Sequence, residues 1–164
     1  MPKINKLPTE EELFAKFSRQ CAMKECAPAD IKLKVMRAGL DNDTAERIVD
    51  RLIDDGYIDE KRYVRAFVHD KFIFNHWGRR KIVLTLAQKG LRGSFVQEIL
   101  KNIDDKEYIS VLTDILRTKA KSVNAATEQE RFYKLLNFAV SRGFEPDVAY
   151  KVLETVLDSD DSGS

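Results

Sequence analysis

At 164 residues, with 43% hydrophobic and 34% charged side chains and a net charge of +1, the chain has room for one ordinary domain or a short array of smaller units. Seven glycines and four prolines are too few to punctuate an all-β fold. No run approaches the roughly 20 apolar residues of a membrane helix, and the first nine residues hold no secretory apolar core, so a cytoplasmic protein is expected.

The helix punctuation is legible along the chain. Thr9 with Glu12 has the spacing of a capping box, and the pairs Asp43/Glu46, Ser94/Gln97, Asp104/Glu107 and Thr127/Glu130 repeat it. Pro28 and Pro146 suit first turns, where the missing N–H costs nothing. Gly39, Gly56, Gly90 and Gly143 each follow an apolar-periodic run, where helices end. The pattern predicts helices at 9–24, 28–38, 43–55, 59–75, 79–89, 94–103, 104–121, 127–142 and 146–157. No segment alternates as a strand would, so the fold class is all-α.

The helices fall into a repeat. Aligned on Gly39, Gly90 and Gly143, the chain places Leu40, Leu91 and Phe144 next, then Ile48, Ile99 and Val152, then Leu52, Ile103 and Val156. Upstream lie Ile31, Ile82 and Leu135, followed by Met36, Ala87 and Val140. These matches predict three tandem three-helix repeats of about 50 residues in an elongated, curved arrangement. The units are 1–58, 59–103 and 104–158, with 159–164 as a disordered acidic tail. Such a body suits gripping something extended, and no deep cleft is expected.

Charge follows the same division. Residues 1–60 hold 10 Lys/Arg against 13 Asp/Glu, and residues 102–164 hold 8 against 12. Residues 61–101 hold 10 Lys/Arg against Asp70 and Glu98 alone, a net of +8. Within this stretch Arg79, Arg80 and Lys81 open a helix whose dipole prefers acids, which invites an anionic partner. An ordinary solvated cluster is the plainer reading. Lys61, Arg62, Arg65 and Lys71 share one helix at spacings that crowd like charge. Lys89 and Arg92 straddle Gly90, although a lysine in a last turn is also what the dipole favours. Trp77 is either a stacking or anchoring residue beside the arginines or a packed staple. Tyr63 is expected in the core and Tyr57 at the turn between repeats.

Catalytic and metal chemistry find no support. The acidic pairs Asp54-Asp55 and Asp59-Glu60 lack the histidine or glycine-rich loop of a site, and Asp59 reads as an N-cap. No P-loop, dinucleotide fingerprint, zinc module or nucleophile elbow is present. Cys21 and Cys26, expected in one helical run too far round its axis to pair, read as reduced, packed thiols. Neither enzyme activity nor a cofactor or metal is expected.

The stretch from Asp54 to Phe67, reading DDGYIDEKRYVRAF, resembles the most characteristic segment of the RecX family. The following Gly78-Arg79-Arg80-Lys81-Ile82, with Leu86 and Lys89-Gly90-Leu91, is similar to that family's second signature. The resemblance implies a regulator, usually an inhibitor, of the RecA recombinase. Such a protein binds in the groove of the RecA filament on single-stranded DNA and modulates ATP hydrolysis, strand exchange and coprotease activity in DNA repair and the SOS response. The expected contact residues are Lys61, Arg62, Arg65, Lys71, Trp77, Arg79, Arg80, Lys81, Lys89 and Arg92. The partners implied are the RecA filament and, secondarily, single-stranded or double-stranded DNA, with the protein a monomer and no membrane contact. The alternatives are a stand-alone DNA-binding protein of tri-helical modules and a helical adaptor for some other protein.

Overall fold

A computed structural model describes residues 6–162, with side chains described as far as residue 158. Among the described residues the chain is all-helical, in the order α1 (Glu10–Met23), α2 (Pro28–Arg37), α3 (Asn42–Asp54), α4 (Glu60–Ile73), α5 (Arg79–Gln88), α6 (Ser94–Lys101), α7 (Asp105–Ala120), α8 (Glu128–Ser141) and α9 (Pro146–Ser162). No helix among them is long and apolar enough to cross a membrane. The three-helix repeat is seen in the matched core positions: Ile31, Ile82 and Leu135 are all buried, as are Leu91 and Phe144.

Caps explain most of the boundaries. The side chains of Thr9, Asp104 and Thr127 each accept the backbone N–H three residues on, at 3.1, 3.2 and 3.1 Å. Asp59 does the same for α4 through Arg62 N–H at 2.9 Å. Two expected caps move. Asp41, not Asp43, caps α3 by accepting Thr44 N–H at 2.8 Å. Gly93 precedes α6 without a side-chain cap, and Ser94 is already helical. α9 runs to Ser162, beyond the expected end, because no Gly or Pro interrupts it before Gly163. The expected tail thus overlaps this helix, and residues 163–164 lie outside the described ones.

The described residues divide into two compact units, one running up to residue 66 and taking in 88–91, the other made of 67–87 and the residues from 92 onward, so the boundary falls inside α4. In the first unit α3 packs on α1 and α2. Its core gathers Leu13, Phe17, Ile31, Val35, Ile48 and Leu52, with Ile58 closing the end. Cys26 lies beyond the end of α1, not within the expected helical run, and is buried together with Cys21. Both thiols are free, and that of Cys26 donates to the Lys24 carbonyl at 3.6 Å.

In the second unit α7, α8 and α9 pack on one another. Tyr108, Leu112, Leu116, Leu135, Phe144 and Leu153 are essentially inaccessible. Phe72 stacks on Tyr108 at 5.8 Å between ring centroids, and Phe144 tilts against the same Tyr108 ring at 5.1 Å. Met36 and Val140, matched as apolar positions of the repeat, are 42% and 38% exposed and lie outside the core. Helical spacing identifies a stripe, but the stripe is wider than the buried face.

The end of α8 meets the start of α5 at two glycines. A Cβ on Gly78 would sit 2.5 Å from the carbonyl oxygen of Gly143, and one on Gly143 would sit 2.6 Å from the Lys81 nitrogen. Gly143 also has φ +95°, where side chains are strained. Gly78→Ala and Gly143→Ala are each expected to cost about 2–4 kcal/mol in urea unfolding, from overlap and lost backbone hydrogen bonds. Gly56→Ala, at φ +80° with open space around it, should cost about 1 kcal/mol.

Burial, then the neighbouring Cys26, push the Cys21 thiol up to about 12. The fold therefore prefers the neutral thiol. Its contribution is fully present below the unfolded value of about 8.5 and is lost as pH rises from there towards the folded value. Iodoacetamide at pH 8 should leave Cys21 unmodified until urea unfolds the chain.

Candidate filament and nucleic-acid interface

The basic residues singled out from the sequence fall in both units. Lys61, Arg62, Arg65 and Lys89 belong to the first; Lys71, Trp77, Arg79, Arg80, Lys81 and Arg92 belong to the second.

In the first unit, Arg62 is held by the chain itself. Its Nε donates to Glu25 at 2.6 Å, and its Nη2 donates to the carbonyls of Gly56 and Tyr57 at 3.2 and 3.3 Å. Arg62 thereby ties the turn after α3 to the start of α4. Lys89 donates to Asp30 at 2.8 Å. Burial alone would disfavour its charge, but Asp30 and Tyr63 outweigh burial and raise the Lys89 pKa. Lys61 and Arg65 lie one turn apart, are exposed, and make no ion pair among the described residues.

In the second unit, Arg79 is the most constrained of the set. Its guanidinium lies 3.9 Å from the centroid of Tyr108 and donates to Glu145 and Asp105 at 3.3 and 3.2 Å. The Arg79 backbone N–H donates to the Tyr108 hydroxyl at 3.1 Å, and that hydroxyl donates to Glu145. Gly78 and Arg80 N–H groups donate to the carbonyls of Arg142 and Gly143 at 2.7 and 2.9 Å. Three amides at the start of α5 are thus satisfied within the unit. The positive end of α5 faces the negative end of α8, and the carboxylates of Glu145 and Asp105 offset the charge of Arg79. Much of the helix-dipole penalty that suggested an outside anion is met internally.

Arg80 projects from this anchored turn, exposed and without an ion pair among the described residues. Trp77 is half-buried, its ring edge-on to Phe67 at 6.4 Å. The Trp77 backbone N–H closes the end of α4 on the Lys71 carbonyl at 2.9 Å, while His76 takes φ +57° to turn the chain. The ammonium groups of Lys71 and Lys81 lie 4.9 and 4.4 Å from the Trp77 ring. This gathers two like charges at one aromatic surface, a suitable seat for an anion. Arg92 donates to the Ala87 carbonyl at 3.4 Å and caps α5.

The sequence marked charge but did not separate the cations used internally from the exposed ones. The acceptors Glu25, Asp30, Asp105 and Glu145 lie 26 to 66 residues away from their cations. Among the described residues no group of three or more His, Cys, Asp or Glu is arranged to hold a metal ion.

Comparison with known proteins gives concordant findings. A family model described as "RecX, second three-helix domain" matches residues 59–100. A Clostridium tetani protein named "Regulatory protein RecX" is 31% identical over 129 residues, covering 77% of this chain and 59% of that protein. One of the same name from Amycolatopsis mediterranei is 21% identical over 155 residues, covering 92% and 88%. The chain spans about half the length of the first curated relatives it matches, 59%, 47% and 44% of three of them. A solved structure of RecX from Lactobacillus salivarius superposes with a TM-score of 0.75 at 16% identity, covering 90% of this chain and 96% of that one.

Tyr108→Phe should lower the unfolding free energy by about 1–3 kcal/mol, because Arg79 N–H and Glu145 both lose a partner. Combined with Glu145→Gln in urea titrations, its cost should be clearly less than additive, since both changes break one network.

Proposed function

We propose that this chain, which belongs to the RecX family, regulates a RecA recombinase by binding its filament on single-stranded DNA. It acts as a monomer in the cytoplasm and has no catalytic chemistry of its own. Three repeats, 1–58, 59–103 and 104–158, divide the work. The basic middle repeat contacts the nucleoprotein, and the acidic outer repeats rest on recombinase protomers. Bridging protomers restrains the relative motion that accompanies ATP turnover.

The observation that carries this reading is the set of cations left over after internal pairing. Lys61, Arg65 and Arg80 are exposed in a segment that holds only Asp70 and Glu98 as acids. Lys71 and Lys81 flank Trp77 beside them in sequence. Guanidinium forks suit phosphate and carboxylate alike, which is what a filament groove presents. Within the first unit Arg62 and Lys89, and within the second Arg79, hold the backbone from which the exposed cations of the same unit project.

The test is the single-strand-dependent ATPase of the matching recombinase, titrated with this protein beside a fluorescence-anisotropy titration on naked single-stranded DNA. A changed ATPase with weak DNA binding is expected. An unchanged ATPase with tight, salt-dependent DNA binding would instead establish the stand-alone DNA-binding alternative. Arg80→Glu with Lys81→Glu is expected to weaken the effect on ATPase at least tenfold while leaving the melting temperature within a few degrees. Arg79→Glu should instead unfold the second unit, since it places a carboxylate beside Asp105 and Glu145.

A further inference from the structure

Along α8 and α9 an open groove of about 470 Å3 runs past Phe132, Tyr133 and Tyr150, within the usual size range of ligand clefts. Phe132 meets Tyr150 at 5.0 Å and Tyr133 at 6.1 Å between centroids, both edge-on. Tyr133 is 54% exposed and Tyr150 48%, while Leu135, Ala139, Leu153 and Val156 already fill the core beneath these helices. Three carboxylates rim the rings. Glu128 stands one turn before Phe132, and Glu154 and Asp158 follow Tyr150 at successive turns of α9.

No cation lines this groove, and its three acids make no ion pair among the described residues. The nearby cations of α8 are turned elsewhere, Arg131 to the Ala120 carbonyl and Lys134 to Glu130. Several other aromatic rings carry one of the chain's own cations, among them Arg51 over Phe14, Lys81 over Trp77 and Arg142 over Phe138. Among the described residues the groove has the rings and the carboxylates but lacks the cation.

We infer that the α8–α9 groove receives an arginine-bearing segment of a protein partner. A guanidinium is the group that stacks on tyrosine and forks onto carboxylates at once. A nucleic-acid strand would meet three carboxylates and be repelled. This deepens the reading above, in which the acidic outer repeats meet protein, by naming the chemistry of the segment that the third repeat accepts, whatever the identity of the partner.

The test uses the full chain, labelled with 15N and titrated with the peptide acetyl-Gly-Arg-Gly-Arg-Gly-amide. The same peptide with glutamate in place of arginine and a short oligothymidylate serve as comparisons. Amide shifts confined to 128–133 and 150–158 are expected with the arginine peptide alone. Tyr133→Ala with Tyr150→Ala keeps every carboxylate and should weaken binding roughly fivefold to tenfold. Glu154→Gln provides a second variant that leaves the rings in place and should also weaken it. Shifts scattered over other acidic surfaces, binding unchanged by either variant, oligothymidylate in the groove, or self-association of the free chain that occupies it would each overturn the inference. Recombinase ATPase is not a readout here, so this result and the test of the filament reading fail independently.

Discussion

The contact that organises the second unit is the meeting of two helix ends. α8 finishes with unsatisfied carbonyls and α5 begins with unsatisfied amides, and each supplies what the other lacks. The positive end of one helix faces the negative end of the other. The approach is close enough that Gly78 and Gly143 leave no space for a Cβ. Once the ends are joined, Tyr108 can reach both the Arg79 amide and Glu145 from the core, and burial together with the Glu145 hydrogen bond keeps its hydroxyl protonated well above the ordinary tyrosine value. Arg79 is then fixed over the ring by two carboxylates.

That arrangement changes the meaning of the basic cluster. Arg79 and Arg80 are neighbours in sequence and opposite in use, one locked against Tyr108 and the other exposed. Arg62 and Arg65 repeat the contrast on α4, where Glu25 holds the first and the second is left in solvent. Internal pairing therefore supports the exposed cations by fixing the backbone they stand on. An ion pair that orients a neighbour need add little stability itself to be worth retaining. The acid-rimmed aromatic groove of α8 and α9 has the opposite chemistry, rings and carboxylates without a cation among its lining residues.

Helix grammar was legible because it is local. Thr9, Asp104 and Thr127 cap the helices that their spacing predicts. The misreadings are local competitions between neighbours. Asp41 and Asp43 are both good caps for α3, and only Asp41 has the extended backbone that lets its carboxylate reach Thr44. Ser94 looks like a cap but follows Gly93, whose φ of +126° begins α6 one residue earlier. Met36 and Val140 share the periodicity of buried residues without sharing their burial. Cys26 falls outside the helical run because α1 ends at Met23, with Lys24 already extended.

The sequence by itself determined the all-helical class, the threefold register of the core and the basic middle segment, since periodicity, caps and charge are written over short stretches. It also carried the family resemblance, in the signature segments that begin at Asp54 and Gly78. The tertiary structure alone decided which charges remain available, because the partners that silence Arg62, Arg79 and Lys89 arrive from 26 to 66 residues away. It alone brought Tyr150 beside Phe132 and so formed the groove. Contacts at that separation depend on how helices pack, and neither spacing nor composition along the chain encodes the distance between two side chains across a helix pair.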